Sequence, residues 1–164
     1  MDRDDLKKVY EYQIYMTTFA DTKAGGFILL FTGILSGLLS SGKLAYATAM
    51  LSGNLALSNV VSVCAFLSLL GSLGLLTWTI IPRSVPAHEK ALSVIFWRHI
   101  ARDASGSAYL ARLRQLDGDA WAAQWAEQIH SVASIASIKF ARLRDAVWLG
   151  LFGSFLMVCL FVIT

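Results

Sequence analysis

The chain has 164 residues, of which 56% are hydrophobic and 15% charged, and its net charge is +3 at pH 7. Soluble domains carry charge on about a quarter of their residues, so this composition excludes an ordinary soluble domain and favours an integral membrane protein. The 14 basic residues are interleaved with 11 acidic ones. We therefore expect them to attract anionic lipid, and we expect no polymeric nucleic acid as a partner.

The chain begins with a predicted cytoplasmic helix, residues 1–23, that contains neither Gly nor Pro. It continues into an apolar run without an ionisable residue, residues 24–42, which matches the roughly 20 residues needed to cross a bilayer. Because five acidic residues precede this run, it does not resemble a secretory signal peptide. We predict that residues 24–42 form transmembrane helix 1.

Two further apolar runs predict two more spans. Residues 44–81 lack charged side chains, and their length fits a short outward loop, 43–58, followed by transmembrane helix 2, 59–81. Residues 146–163 predict transmembrane helix 3. Closely spaced small residues in or beside the spans favour tight helix packing: Gly25/Gly26, Gly33/Gly37, Ser68/Ser72 and Gly150/Ser154. Cys64 and Cys159 lie inside spans, and we interpret them as packing residues.

The segment between the second and third spans, residues 82–145, is predicted to be helical. Pro82 and Pro86 break the chain, and a helix is then expected over 87–106, followed by a shorter one over 107–116. From residue 119 onward there is no Pro, so one helix of more than forty residues should run into the third span. Apolar residues three and four apart form a stripe on it: Ile129, Ala133, Ala136, Phe140, Leu143 and Val147.

The distribution of basic residues predicts the orientation. Four precede the first span, nine lie between the second and third, and one lies in the loop between the first two. Basic loops remain in the cytoplasm, so the N-terminus and residues 82–145 should be cytoplasmic. The predicted fold class is an all-α integral membrane protein with three transmembrane helices, the first and third extending into a cytoplasmic helical bundle.

A charged pair, Asp21 and Lys23, stands immediately before the first apolar run. One interpretation is an interfacial salt bridge that sets helix register, with Arg142 or Arg144 of the last helix as the partner of Asp21. The other is a polar pocket for a small anion such as a phosphodiester. That pocket would also include Gln128, Lys139 and Arg142.

Motifs of catalysis are missing from the sequence. It has no Gly-rich phosphate loop, no paired His or Cys spacing typical of metal sites, and no nucleophile elbow. We therefore expect no enzyme activity, metal or cofactor. His88, His99 and His130 are dispersed, and we expect His99 and His130 at the surface. Spans without charged residues disfavour a transporter.

Three stretches together resemble a known family. They are "ADTKAGGFILLFTGILSGLL" (20–39), "IFWRHIARDASGSAYLARL" (95–113) and "WAEQIHSVASIASIKFARLRDAVWLGLFG" (125–153). This pattern is similar to that of the transmembrane effectors of bacterial Pycsar anti-phage systems. The resemblance implies an effector encoded beside a pyrimidine cyclase that makes cyclic UMP or cyclic CMP during infection. The cytoplasmic part would sense the nucleotide, and the membrane part would impair the inner membrane, giving abortive infection.

The resemblance also suggests candidate ligand-binding residues. The matching positions are Asp21, Lys23, Phe96, Tyr109, Gln128, Lys139 and Phe140. Charge and helical position add Arg98, His99, Arg102 and Arg142. Lys139 or Arg142 would contact the phosphate, and Gln128 or Tyr109 the base or ribose. The expected partners are a cyclic pyrimidine mononucleotide, the lipid bilayer and further copies of the chain. The alternative is a holin-like or scaffolding membrane protein that needs no ligand.

Overall fold

The structure, a computed structural model, describes residues 3–42, 49, 56–82 and 93–163, and within them the chain is helical without a strand. Five helices lie in these residues: α1 (Arg3–Ser40), α2 (Leu57–Ile80), α3 (Trp97–Ile100), α4 (Gly106–Arg114) and α5 (Gly118–Ile163). Three of them contain stretches long and apolar enough to span a membrane: Asp4–Ser40, Leu57–Ile80 and Gly118–Val162. The prediction of an all-α protein with three membrane helices is confirmed. Most of the predicted loop 43–58, together with residues 83–92, lies outside the described residues.

The two long helices, α1 and α5, form as the sequence predicts. α1 has 38 residues and α5 has 46, so α5 is about 69 Å long at 1.5 Å per residue. The carboxylate of Asp117 starts α5 by accepting a hydrogen bond from the backbone N–H of Ala120 at 2.7 Å. In α1, hydroxyl groups such as that of Thr17 donate to the carbonyl four residues earlier, so these polar side chains do not interrupt the helix.

The chain divides into two compact units, described separately here. The polar unit comprises Met1–Phe19 and Pro82–Ile138 and contains α3 and α4. The apolar unit comprises Ala20–Ile81 and Lys139–Thr164 and contains α2. The helices α1 and α5 contribute a segment to each.

The core of the apolar unit forms where its three helices approach most closely. A Cβ atom placed on Gly150 of α5 would lie 2.3 Å from two ring atoms of Phe31 in α1 and 2.7 Å from the hydroxyl of Ser72 in α2. That hydroxyl donates to the carbonyl of Ala146 at 2.7 Å. The contact therefore requires glycine at 150, and the buried Ser72 hydroxyl within it is hydrogen-bonded.

The small residues predicted to mediate packing differ in what they do. Gly150 and Ser72 lie at a three-helix contact, and Gly153 packs against Ser68 and Leu69 of α2. By contrast, apart from the adjacent residues of α1 itself, no heavy atom of the described residues comes within 4 Å of a Cβ atom placed on Gly25, Gly26 or Gly33. The expected close helix approach at Gly25 and Gly26 is therefore wrong for the contacts within this part of the chain. Small size permits a close contact but does not create one.

The predicted helix over 87–106 is largely wrong where the structure describes it. Only Trp97–Ile100 is helical, while residues 93–96 form a turn. The Ser93 hydroxyl accepts hydrogen bonds from the backbone N–H groups of Ile95 and Phe96, both at 3.2 Å. A short polar side chain that bonds nearby backbone groups in this way competes with helix formation. Beyond α3, Ser105 caps the start of α4 by accepting from the N–H of Ala108, and α4 confirms the shorter predicted helix.

Candidate functional site

An ion pair joins α1 to α5 in the apolar unit. The Nζ atom of Lys139 donates to both carboxylate oxygens of Asp21, at 2.5 and 2.7 Å. The Lys139 side chain is only 7% exposed, whereas that of Asp21 is 34% exposed. The two residues lie in the first turn of the α1 and α5 segments that belong to this unit. A buried ammonium group facing both oxygens of one anion is thus part of the interior between these helices.

The predicted partner of Asp21 is corrected from Arg142 or Arg144 to Lys139. Position 139 falls on the same face of α5 as Leu143 and Ala146, both buried in the core. Position 144 points elsewhere, and the exposed Arg144 side chain pairs with the neighbouring Asp145 at 3.0 Å. Helical spacing placed several cations near Asp21, and the direction of the inward face of α5 decided among them.

Three further predicted residues of the apolar unit lie near this pair in sequence. Arg142 follows Lys139 by one helical turn, its side chain is half-buried, and its Nη1 atom is buried. Lys23 lies two residues after Asp21 on α1 and is exposed. Phe140 packs against the hydrophobic core. The arrangement therefore brings a second cation, Arg142, to the same side of α5 as the Lys139–Asp21 pair.

The polar unit contains a second constellation, centred on the turn at residues 93–96. The backbone N–H of Ser93 donates to Nδ1 of His99 at 2.9 Å, and that of Val94 donates to the amide oxygen of Gln124 at 2.8 Å. Because Nδ1 accepts a hydrogen bond, the neutral His99 ring carries its proton on Nε2. The Phe96 ring meets the His99 ring edge-on, with centroids 5.2 Å apart. Side chains thus bond the backbone groups of a segment that has no regular secondary structure.

Side chains of helix α4 donate hydrogen bonds to the backbone carbonyl groups of the same turn. The Tyr109 hydroxyl donates to the carbonyl of Val94 at 2.8 Å. Arg112 donates from Nη1 to the carbonyl of Ser93 at 3.3 Å and from Nη2 to Asp103 at 2.5 Å. Its guanidinium carbon also lies 5.8 Å from the centroid of the Tyr109 ring. In this structure, therefore, Tyr109 contacts the backbone of the turn.

We expect Tyr109→Phe to lower the free energy of unfolding by about 1 kcal/mol, because the nearly buried Val94 carbonyl loses its hydroxyl donor while the ring is retained. The same change at Tyr12, whose side chain is 57% exposed, should stay within about 0.5 kcal/mol of wild type. Thermal unfolding followed by circular dichroism compares the two. Equal effects would show that the hydrogen bond to Val94 contributes nothing.

Among the other predicted residues, Arg102 contacts the second constellation through its backbone, whose N–H donates to the His99 carbonyl at 3.2 Å. His99 is buried at 8% exposure, so its predicted surface position is wrong. His130 is exposed as predicted, Arg102 is exposed and Gln128 is half-buried on α5. His88 and the side chain of Arg98 lie outside the described residues. As ligand contacts, the candidates of both units stay predictions.

Sequence reasoning missed several residues that organise the polar unit, chiefly Arg112, Asp103 and Gln124. Arg112 lies one turn after Tyr109, so helical spacing could have paired those two. Gln124 is thirty residues from the Val94 group that it binds, and no local pattern could have paired them. Tyr10 of α1 likewise meets Trp125 of α5 edge-on at 5.2 Å, a contact between residues far apart in sequence.

Comparison with known proteins identifies the family. A family model described as "Pycsar effector protein domain" matches residues 5–164, which is essentially the whole chain and includes all three apolar helices. Searches of curated proteins and of solved structures gave no match. The three spanning-length helices and the match over the full length together show that this chain belongs to the Pycsar effector family of anti-phage membrane proteins.

Proposed function

We propose that this chain is activated by a cyclic pyrimidine mononucleotide, cyclic UMP or cyclic CMP, and then impairs the integrity of the bacterial inner membrane. The observation that carries the proposal is the family match over residues 5–164. It is supported by three helices of membrane-spanning length and composition and by inward-facing cations, Lys139 and Arg142, in a chain with few charges.

The proposed orientation places the N-terminus and residues 82–145 in the cytoplasm, where a nucleotide signal would be made. Thirteen of the fourteen basic residues lie in those two segments, as the positive-inside rule requires. The proposed spans are residues 24–42, 59–81 and 146–163. Residues 82–145 form the sensor region of this proposal.

The nucleotide phosphate is assigned to Lys139 and Arg142. A cyclic mononucleotide carries one phosphodiester with a single negative charge, and ammonium and guanidinium groups bind such oxygens through charge-assisted hydrogen bonds. Because the Lys139 side chain is 7% exposed, its attraction to an anion is screened less than that of a surface lysine.

The membrane step is proposed to disturb the bilayer through the assembly of several copies. The spans contain no Asp, Glu, Lys, Arg or His, and water-filled ion pathways normally require one. Large apolar side chains such as Leu29, Trp148 and Phe155 are exposed on the apolar unit, where lipid or another copy can cover them. Clustering or general disruption therefore fits the chemistry of the spans better than a selective channel.

The test is binding of cyclic mononucleotides and dinucleotides to the full-length, detergent-purified chain, measured by equilibrium dialysis and thermal unfolding. A ligand at a hundredfold excess over its Kd stabilises the folded state by about 2.7 kcal/mol. We expect cyclic UMP or cyclic CMP to raise the unfolding temperature of the wild type. This shift should be lost in Lys139→Ala and in Arg142→Ala. The matched control, Arg144→Ala, removes an exposed cation from the same helix and should keep the shift.

A different result would overturn the proposal. If no cyclic nucleotide binds, and expression alone stops growth equally in wild type and in Lys139→Ala, the chain acts as a ligand-independent membrane protein. Plating efficiency of phage on cells carrying each variant gives the corresponding readout in vivo.

A further inference from the structure

The two side chains of the Asp21–Lys139 pair are buried to different extents. Lys139 is almost fully enclosed, whereas about a third of the Asp21 side chain is exposed. An enclosed ammonium group without a counter-ion is strongly unfavourable, because it has lost its hydration and gained no partner. A carboxylate with water access can leave the pair at a smaller cost. Asp21 is therefore the replaceable member, and Lys139 is the member that requires an anion.

A phosphodiester resembles the carboxylate that Lys139 already binds. Each carries one negative charge and presents two oxygens to a donor. In this structure the Nζ atom lies 2.5 and 2.7 Å from the two oxygens of Asp21. The same three ammonium hydrogens could donate to the two non-bridging oxygens of a cyclic nucleotide. The two anions would then compete for one cation.

We propose that the Asp21–Lys139 pair is a latch that holds the resting state, and that the nucleotide phosphate activates the protein by taking Lys139 away from Asp21. This inference rests on the proposed function, since it names the event that follows nucleotide binding. The pair connects α1 to α5 across 118 residues of sequence. Replacing Asp21 by the nucleotide phosphate therefore removes a direct bond between these helices. The ligand shifts the equilibrium by its higher affinity for the unlatched state.

Competition between Asp21 and the nucleotide predicts that removing the Asp21 charge raises nucleotide affinity. A purely structural ion pair predicts no such increase. In Asp21→Asn the competing anion is gone, so nucleotide affinity should rise, by about tenfold or more if the latched state dominates in wild type. Lys139→Gln should instead lose nucleotide binding. If Asp21 itself contacted the ligand, Asp21→Asn would lower the affinity.

The latch also predicts activity without ligand. Full-length variants reconstituted in vesicles of phosphatidylethanolamine and phosphatidylglycerol, loaded with a fluorescent dye, report membrane leakage directly. We expect Asp21→Asn to leak without nucleotide. The double variant Asp21→Lys/Lys139→Asp restores opposite charges at the two positions and should leak as little as wild type.

The matched control is Asp145→Asn, which makes the same chemical change in the exposed pair with Arg144, 3.0 Å apart. It should leave both leakage and nucleotide affinity unchanged.

Asp21→Glu covers the case in which Asp21→Asn does not fold, because it keeps the charge and alters only the geometry of the pair. We expect it to fold, to leak more than wild type and to bind cyclic UMP or cyclic CMP more tightly.

The outcomes separate the latch from the proposed function. A folded Asp21→Asn or Asp21→Glu that leaks no more than wild type and binds nucleotide no more tightly overturns the latch. Leakage from the charge-reversed double variant equal to that of Asp21→Asn overturns it as well. If wild type binds neither cyclic UMP nor cyclic CMP, the proposed function fails, and nucleotide exchange at Lys139 fails with it. In that case the dye leakage of Asp21→Asn is compared with that of the charge-reversed double variant. Greater leakage from Asp21→Asn would show that the ion pair restrains the membrane helices without a nucleotide.

Discussion

Gly150→Ala is expected to destabilise the protein although alanine is the better helix former. Its Cβ atom would lie 2.3 Å from two ring atoms of Phe31 and 2.7 Å from the Ser72 hydroxyl. Phe31 has no exposed surface, and the Ser72 hydroxyl is bonded to Ala146, so neither neighbour can move without loss. Overpacking of this kind costs about 1–3 kcal/mol. We expect the upper part of that range, which exceeds the gain of roughly 1 kcal/mol in helix propensity.

Gly33→Ala is the matched control, because it makes the same change inside the first apolar run at a position without a neighbour. Apart from the adjacent residues of α1 itself, no heavy atom of the described chain lies within 4 Å of a Cβ atom placed there, so the variant should gain about 0.5–1 kcal/mol. Thermal unfolding of both variants in the same detergent gives the comparison. Equal stabilisation by both changes would contradict the three-helix contact at Gly150. A loss at Gly33 that grows with protein concentration would indicate that a second copy packs on that face.

Arg112→Ala is expected to loosen the 93–96 turn of the polar unit. The change removes the ion pair with Asp103 and the donor to the Ser93 carbonyl. The side chains of Arg112 and Asp103 are 20% and 16% exposed, so Asp103 would be left largely enclosed without its counter-ion. Breaking a buried pair costs about 3–5 kcal/mol, and partial exposure places this one at the lower end.

Hydrogen exchange followed by mass spectrometry locates this effect. Amide protons of the turn should exchange roughly a hundredfold faster in Arg112→Ala, the factor that corresponds to about 3 kcal/mol. Arg114→Ala removes an exposed arginine from the same helix and should leave the exchange rates of the turn unchanged. If the turn is equally protected in both variants, then His99, Tyr109 and Gln124 suffice to hold it.

The helical architecture could be predicted from the sequence because it depends on local and compositional properties. A run of some twenty apolar residues has few structures available in a bilayer other than a helix, and residues 119–163 contain no proline to end one. These conditions predicted the long helices α1 and α5. The helix expected over 87–106 failed because the Ser93 hydroxyl binds the backbone N–H groups of Ile95 and Phe96. The spacing of apolar residues in the sequence does not indicate when a side-chain hydroxyl will bond the backbone and so compete with helix formation.

The candidate site could be predicted only in part. Charge and position singled out Asp21 and Lys139 as notable, and family resemblance pointed to the same residues. The pairing between them was missed, since Arg142 and Arg144 stood equally close to Asp21 along the predicted helices. In the polar unit, Tyr109 and His99 both bond the backbone of the turn, and their role as ligand contacts stays a prediction.

The sequence by itself determined the membrane class, the three spanning helices and the family, because hydropathy, helix length and motif order are properties of consecutive residues. Only the tertiary structure decided that Lys139 rather than Arg142 or Arg144 meets Asp21 and that four side chains hold one turn. It also decided that Gly150, but among the described contacts not Gly33, lies where helices meet. Each of these depends on which face of a helix turns inward. That direction is set by packing between residues distant in sequence, where burial makes one partner favourable and the others costly.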